Sequence, residues 1–117
     1  MILNYDWEKM MIKYIVSLVL FIPLAWMANA GEHHVLTLKD HQFTPALLTI
    51  PANTKVEILI RNLDKTPEEF ESEQLGREKV VPAGGEVKLS IGPLTAGTYT
   101  FVGEFHEDTA KGKIVVE

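Results

Sequence analysis

The chain has 117 residues and no cysteine, and its 16 Asp and Glu outnumber its 11 Lys and Arg to give a net charge of −5. An acidic chain is a poor binder of nucleic acid and a reasonable binder of cations. Without cysteine, these residues form no disulfide bond and supply no thiolate to a metal.

Residues 1–30 are predicted to be a signal peptide. Residues 14–27 form an apolar run that follows two lysines and precedes an Ala-Asn-Ala sequence, the small-polar-small pattern of a cleavage site. A retained membrane anchor is the weaker alternative, because about 20 apolar residues are needed to cross a bilayer and Pro23 interrupts this shorter run. The sequence therefore predicts an exported protein. The true start is left open among three methionines, Met1, Met10 and Met11.

Residues 31–117 are expected to form one domain, since this length is enough for one compact core and too short for two. Short stretches of alternating apolar residues are separated by turn residues, which predicts an all-β fold, a Greek-key sandwich or barrel of seven or eight strands. The predicted strands, in chain order, are 34–38, 47–50, 56–61, a piece beginning at Phe70, 80–81, 87–91, 99–101 and 114–116. Only residues 71–75 leave room for a turn or two of helix. Three aromatic side chains are predicted to lie in the core, Phe43, Tyr99 and Phe101.

Residues 99–114, YTFVGEFHEDTAKGKI, resemble the metal-binding hairpin of a small copper protein that lacks its sulfur ligands. Such a hairpin carries Cys, His and Met, because thiolate and thioether sulfurs hold and tune copper. Here His106 remains, Gly103 stands where the Cys is expected, and Ala110 lies near the Met position. The segment offers carboxylates instead, on Glu104, Glu107 and Asp108. Oxygen ligands favour iron or Cu(II) over a blue-copper centre.

The order of the predicted segments resembles that of a cupredoxin. FTPALLTIPANTKVEILIRN resembles its second and third strands, PAGGEVKLSIGPLTAGTYTF its hairpin into the ligand strand, and GEFHEDTAKGKIVV its ligand loop and last strand. Three phrases, EEFES, LGREKVVPAG and GEFHEDTAKG, resemble a narrower group. This group is the periplasmic cupredoxin-like proteins of bacterial iron-uptake systems, which are similar to the cupredoxin domain of EfeO-type proteins.

The resemblance implies a metal pocket at one end of a cupredoxin-like sandwich. It places the first cupredoxin His at or beside Glu68 and the second at His106, while the Cys and the axial Met have no match. It also implies a role in iron transport, beside a periplasmic iron-binding protein and an inner-membrane iron permease. Blue-copper electron transfer is put in doubt, because it depends on the missing thiolate.

Strand alternation indicates a candidate metal site independently of the resemblance to cupredoxins. If Phe70 points into the core, Glu69 and Glu71 share the opposite face, and an extended 104–106 segment would likewise place Glu104 and His106 on one face. Oxygen-rich sites with one His suit Fe(II), Fe(III), Mn(II) or Cu(II), and anionic oxygen favours the higher oxidation state of iron. The predicted ligands of a copper or iron ion are Glu69, Glu71, Glu104 and His106, with Glu68, Glu78, Asp108 and His33 as further candidates.

His33 enters this set through the predicted cleavage after Ala30. The exported chain would then begin Gly-Glu-His, and a free amine with His at the third position can hold Cu(II) or Ni(II) in a square-planar set of nitrogens. His34 and His41 are interpreted as ordinary strand-edge residues. Exposed carboxylates are also more often solvated surface residues than ligands, and Glu107 and Asp108 suit a turn.

The sequence thus predicts a periplasmic metal-binding protein that assists Fe(II) oxidation, as a ferroxidase does, or that passes iron or electrons to a permease system. Whether it turns over as an enzyme is left open, although no hydrolytic or transferase site is visible. The alternatives are a copper-binding carrier and a metal-free interaction module of the cell envelope. A homodimer with a shared site is also left open.

Overall fold

The computed structural model describes residues 34–117, and the predicted signal peptide and His33 lie outside the described residues. Within the described part, nine strands are connected by turns and one short 3-10 helix. The strands are β1 His34–Lys39, β2 Gln42–Thr44, β3 Leu47–Ile50, β4 Val56–Asn62, β5 Glu68–Ser72, β6 Arg77–Val81, β7 Glu86–Ile91, β8 Gly97–Gly103 and β9 Lys111–Val116. The all-β prediction is confirmed. The additional strand is β2, which lies in a stretch where no strand was predicted.

The strands form two mixed sheets. One has the order β2-β1-β4-β7 and the other the order β3-β9-β8-β5-β6. β1 pairs with β4 and β3 pairs with β9 in parallel, while the remaining pairs are antiparallel. No helix in residues 34–117 is long and apolar enough to cross a membrane.

The core lies between the inner faces of the sheets. Alternate residues of a strand point to opposite faces, so that β4 buries Val56, Ile58 and Ile60. Phe70 and Phe101 stack with ring centroids 5.2 Å apart, and Phe43 lies edge-on at 5.2 Å from Phe101. These rings are nearly or fully buried and occupy the centre of the core, in the geometries that aromatic quadrupoles favour.

The sheet register brings the ends of several strands together at one edge of the sandwich. Leu38 pairs with Asn62 in the parallel β1–β4 ladder, so the residues that follow β1 lie beside those that follow β4. Phe70 pairs with Gly103, so the beginning of β5 lies beside the end of β8. The turn after β1, the turn after β4, the start of β5 and the 3-10 helix therefore meet at this edge.

The 3-10 helix, Glu104–His106, contradicts the expectation that residues 104–106 continue as an extended strand. The carbonyl of His106 accepts hydrogen bonds from the backbone N–H groups of Ala110 (2.8 Å) and Thr109 (3.2 Å), which closes a turn into β9. Strand alternation consequently does not apply to Glu104 and His106. Residues 73–76 form a turn, and no helical turn is found within 71–75.

Candidate metal centre

The carboxylate of Glu68, at the start of β5, is a buried acidic group at this edge. Glu68 is 1% exposed, and its Oε1 accepts hydrogen bonds from the backbone N–H groups of Phe105 (2.8 Å) and Glu69 (3.2 Å). Its Oε2 lies 2.5 Å from Nδ1 of His106. A buried carboxylate is tolerated when it is paired and hydrogen-bonded in this way.

The Glu68 pair determines which ring nitrogen of His106 is available. A carboxylate accepts hydrogen bonds, so this contact assigns the donor role to Nδ1, and in the neutral tautomer of that arrangement the lone pair lies on Nε2. Carboxylates commonly hold metal-binding histidines in this manner, which fixes the orientation of the ring. With a side chain only 28% exposed, His106 is thus a fixed imidazole that offers Nε2.

Gly103 and Ala110 leave no room for sulfur ligands next to this pair. A Cβ atom added to Gly103 would lie 2.7 Å from Cδ of Glu68 and 2.7 Å from Cβ of Ala110. Ala110 itself is fully buried. The Glu68 carboxyl group therefore occupies the space that a side chain at position 103 would need, and the residues present do not fit a blue-copper ion.

His41 is the residue at this edge that sequence reasoning missed. Its ring stacks on that of His106, with centroids 3.4 Å apart and an interplanar angle of 13°. The local sequence predicts an ordinary strand-edge residue at His41, because nothing in it indicates a long-range partner. One sequence feature does point to His41. The pair Asp40-His41 directly follows an apolar strand, where a turn places side chains over the end of the sheet.

Asp64 fixes the turn that carries His41. The backbone N–H groups of Asp40 (2.7 Å) and His41 (3.0 Å) donate to its two carboxylate oxygens. Burial raises the pKa of Asp64, but these hydrogen bonds and the charges of His41 and His106 lower it by more, so that the pKa lies below its usual value of 3.8. Asp64 is itself held by Asn62, whose Oδ1 accepts from the Asp64 N–H at 2.9 Å.

The outer face of β5 carries a group of carboxylates. Partial burial raises the pKa of Glu69, and the nearby carboxyl groups of Glu104, Glu78 and Glu71 raise it further. Partial burial, followed by the charges of Glu104 and Glu78, likewise raises the pKa of Glu71. The predicted sharing of one face by Glu69 and Glu71 is confirmed, since Phe70 between them is fully buried.

The structure divides the predicted ligands into two neighbouring sets. Glu69, Glu71 and Glu104 come together on the outer face, while His106 turns inward to Glu68. Glu104 connects the sets, because its carboxyl group lies close enough to Glu69 to raise the pKa of that residue and also lines an open cleft of about 520 Å³ next to His106. The other residues that line this cleft are His41, Phe105, Glu107, Asp108 and Thr109. Among residues 34–117, no three His, Asp or Glu side chains already converge as metal ligands.

The fold and this edge define a small β-sandwich of the cupredoxin class. Residues 11–116 match the family model described as "Cupredoxin-like domain", so the chain belongs to this family. The cupredoxin-like part of the predicted resemblance is thereby confirmed. The chain is also 44% identical over 81 residues to an uncharacterized protein of Rickettsia prowazekii (strain Madrid E). That alignment covers 69% of this chain and 65% of the relative.

Solved structures of cupredoxin type have the same fold. An apo copper-binding protein solved by NMR gives a TM-score of 0.66 at 22% identity, over 76% of this chain and 90% of that one. The metal-binding domain of a Cu(I)-exporting P-type ATPase of Streptococcus pneumoniae D39 gives 0.64 at 16% identity, over 76% and 88%. Auracyanin A, a "blue" copper protein from Chloroflexus aurantiacus, gives 0.63 at 15% identity, over 75% and 100%. At these identities the likeness establishes the fold alone.

Proposed function

We propose that this protein is an exported, transition-metal-binding cupredoxin-like protein that handles iron through carboxylate and imidazole ligands. The observation that carries the proposal is the buried pair of Glu68 and His106, which presents one oriented imidazole beside a group of crowded carboxylates. The ligands we propose are Nε2 of His106 and the carboxylates of Glu104, Glu69 and Glu71.

The crowding of the carboxylates supports a cation at this edge. Partial burial and then the acidic neighbours raise the pKa values of Glu69 and Glu71, so each carboxylate ionises in part against the charge of the others. A bound cation would remove this repulsion, and an ion of higher charge would remove more of it. A site of this kind favours Fe(III) over Fe(II), and it would make bound Fe(II) easier to oxidise.

The proposed role follows from this preference. Fe(II) is the substrate, and it would lose one electron to an external acceptor such as dioxygen while the carboxylates hold the Fe(III) that forms. The predicted export to the periplasm, a periplasmic iron-binding partner and an inner-membrane iron permease belong to the same proposal. They are supported by the likeness of EEFES, LGREKVVPAG and GEFHEDTAKG to iron-uptake proteins.

Anaerobic calorimetric titration of the exported protein with Fe(II) and with Cu(II) tests the proposal. The wild type is compared with a variant carrying Glu104→Ala and His106→Ala, and with Glu86→Ala as a control. Glu86 is exposed and lies in a surface ion pair with Arg61. Air is then admitted, and the appearance of Fe(III) is followed. We expect Fe(II) binding and accelerated oxidation in the wild type and the control, and loss of both in the double variant.

A copper-binding carrier is the second candidate, and the fold shared with copper proteins favours it. Imidazole and carboxylate ligands also suit Cu(II). This candidate predicts tight Cu(II) binding that depends on His106, with no effect on the rate of iron oxidation. If neither metal binds, the remaining candidate function is that of a metal-free interaction module of the cell envelope.

A further inference from the structure

We infer that His41 is a second imidazole ligand, so that His41, His106 and one carboxylate of the adjoining cleft form a two-histidine, one-carboxylate site for Fe(II). This inference rests on the proposed function and refines its ligand set: His41 is added, one carboxylate of the cleft binds the ion, and Glu69 and Glu71 contribute negative charge nearby. It depends on three observations, which are the contact between the rings, the turn that holds His41, and the side chains of the cleft.

The contact between the rings places the two imidazoles side by side, with centroids 3.4 Å apart. Each imidazole on a metal ion approaches it through a metal–nitrogen bond of about 2.0 Å, so two rings this close can share one ion after a change of side-chain orientation. The two side chains therefore reach the same region without movement of the backbone.

The turn that presents His41 is built by specific contacts. Asp40 and His41 have φ values of 52° and 57°, in the left-handed region that is uncommon for residues other than glycine, although Asp and His adopt it more often than most. Both backbone N–H groups are held by the carboxylate of Asp64. Unusual backbone conformations persist where the surrounding structure enforces them, and they cluster at functional sites. Here the enforced turn places the His41 ring on the face of His106.

A change of the His41 side chain is required for ligation. The lone pair of an imidazole nitrogen lies in the plane of its ring, so two parallel rings cannot both direct a lone pair at one ion. His106 is fixed by Glu68, whereas no comparable side-chain anchor of His41 is seen among the described residues. Rotation of a partly exposed side chain takes picoseconds to nanoseconds. The His41 ring would therefore turn away from the stack and towards the cleft.

The cleft supplies the third ligand and determines the class of ion. Glu104, Glu107 and Asp108 line the same open space as the two histidines. Two histidines and one carboxylate, with open positions for other ligands, are typical of Fe(II) sites that react with oxygen. A single imidazole among carboxylates would be less selective for Fe(II) over cations that prefer oxygen, such as Mn(II).

The test compares single-histidine variants of the exported protein. Anaerobic Fe(II) titrations are made on the wild type, His41→Ala, His106→Ala and a control, His34→Ala, at the far end of β1. Ring ¹⁵N spectra of the wild type are recorded with Zn(II) as a diamagnetic probe. We expect His41→Ala to weaken Fe(II) binding about tenfold or more, and we expect Zn(II) to shift the ring signals of both His41 and His106.

The inference is overturned if His41→Ala binds Fe(II) as the wild type does and only the His106 signals respond to Zn(II). His41 would then be a packing partner of His106, and the proposed function would stand. If His106→Ala also binds Fe(II) like the wild type, the proposed function fails and the inference fails with it. Because the ¹⁵N measurement is made on the wild type, it decides the role of His41 even if the His41→Ala variant is unstable.

Discussion

Glu68 and Glu69 are adjacent residues of β5 with opposite surroundings. The inward carboxylate of Glu68 is buried and accepts hydrogen bonds from two backbone N–H groups and from His106. The outward carboxylate of Glu69 faces other carboxylates, which contribute to raising its pKa. The carboxylate of Glu68 already has hydrogen-bond partners. The outer carboxylates around Glu69 still repel one another, and a bound cation would relieve that repulsion.

In the proposed metal site, this difference separates two tasks. Glu68 orients an imidazole and closes the space beside Gly103, so it serves the geometry of the site. Glu69, Glu71 and Glu104 provide negative charge at the surface, where an ion can arrive and leave. Changes to the inner carboxylate are therefore expected to affect folding strongly, and changes to the outer ones to affect mainly charge.

The largest effect is expected from Glu68→Ala. This change removes the acceptor of the hydrogen bonds from Phe105, Glu69 and His106 and leaves the donors partly buried. We expect a loss of about 2–3 kcal/mol in the free energy of unfolding, measured by urea denaturation. The exposed pair of Glu86 with Arg61 serves as the control, and Glu86→Ala should cost less than about 1 kcal/mol. If Glu68→Ala and Glu86→Ala lost the same free energy of unfolding, the distinction between a buried, hydrogen-bonded carboxylate and an exposed one would be contradicted.

A smaller loss is expected from Gly103→Ala. The added methyl group would lie 2.7 Å from Glu68 Cδ and from Ala110 Cβ, and overpacking of this kind costs about 1–3 kcal/mol. Thr98→Ala, at an exposed position of the same strand, controls for the exchange of a residue in β8. A Gly103→Ala variant as stable as the wild type would show that the Glu68 carboxyl group does not fill this space.

The smallest effect, and one of opposite sign, is expected from Glu69→Gln. The folded pKa of Glu69 lies above its usual value of 4.5, so the folded state binds more protons than the unfolded state just above that pH. Stability then falls as the pH rises through this window, and the loss persists at neutral pH. Glu69→Gln removes this loss, so the variant should have a slightly higher Tm than the wild type at pH 7 and an equal one below about pH 4. A lower Tm at pH 7 would mean that the outer carboxylates do not repel each other.

The β-sandwich could be predicted from the sequence because the pattern that indicates each strand lies within the strand itself. Alternation in 56–61 and 87–91 follows directly from burial on one face of a strand, and both strands are present. Phe43 and Phe101 are core residues as predicted, and Tyr99 packs against the core while partly exposed.

The site was less predictable because its contacts are long-range. Glu68 was a lower-ranked candidate, although its contact with His106 across 38 residues organises the edge. His41 was not among the predicted ligands, because the hydrogen bond from its backbone N–H to Asp64, which positions the turn, spans 23 residues. The 3-10 turn at 104–106 was missed because it depends on the packing of Glu68 against the Phe105 N–H, which strand alternation does not show.

The most direct test of the account is the protonation of His106 in Glu68→Gln. The amide oxygen of the variant should keep the N–H bonds of Phe105 and Glu69, which leaves its NH₂ group to donate to Nδ1 and moves the ring proton to Nε2. Ring ¹⁵N spectra should show Nδ1–H in the wild type and Nε2–H in the variant, and the variant should bind Fe(II) about tenfold or more weakly. A proton on Nε2 in the wild type, or unchanged Fe(II) binding in a folded Glu68→Gln variant, would contradict the proposal that Glu68 prepares His106 for a metal.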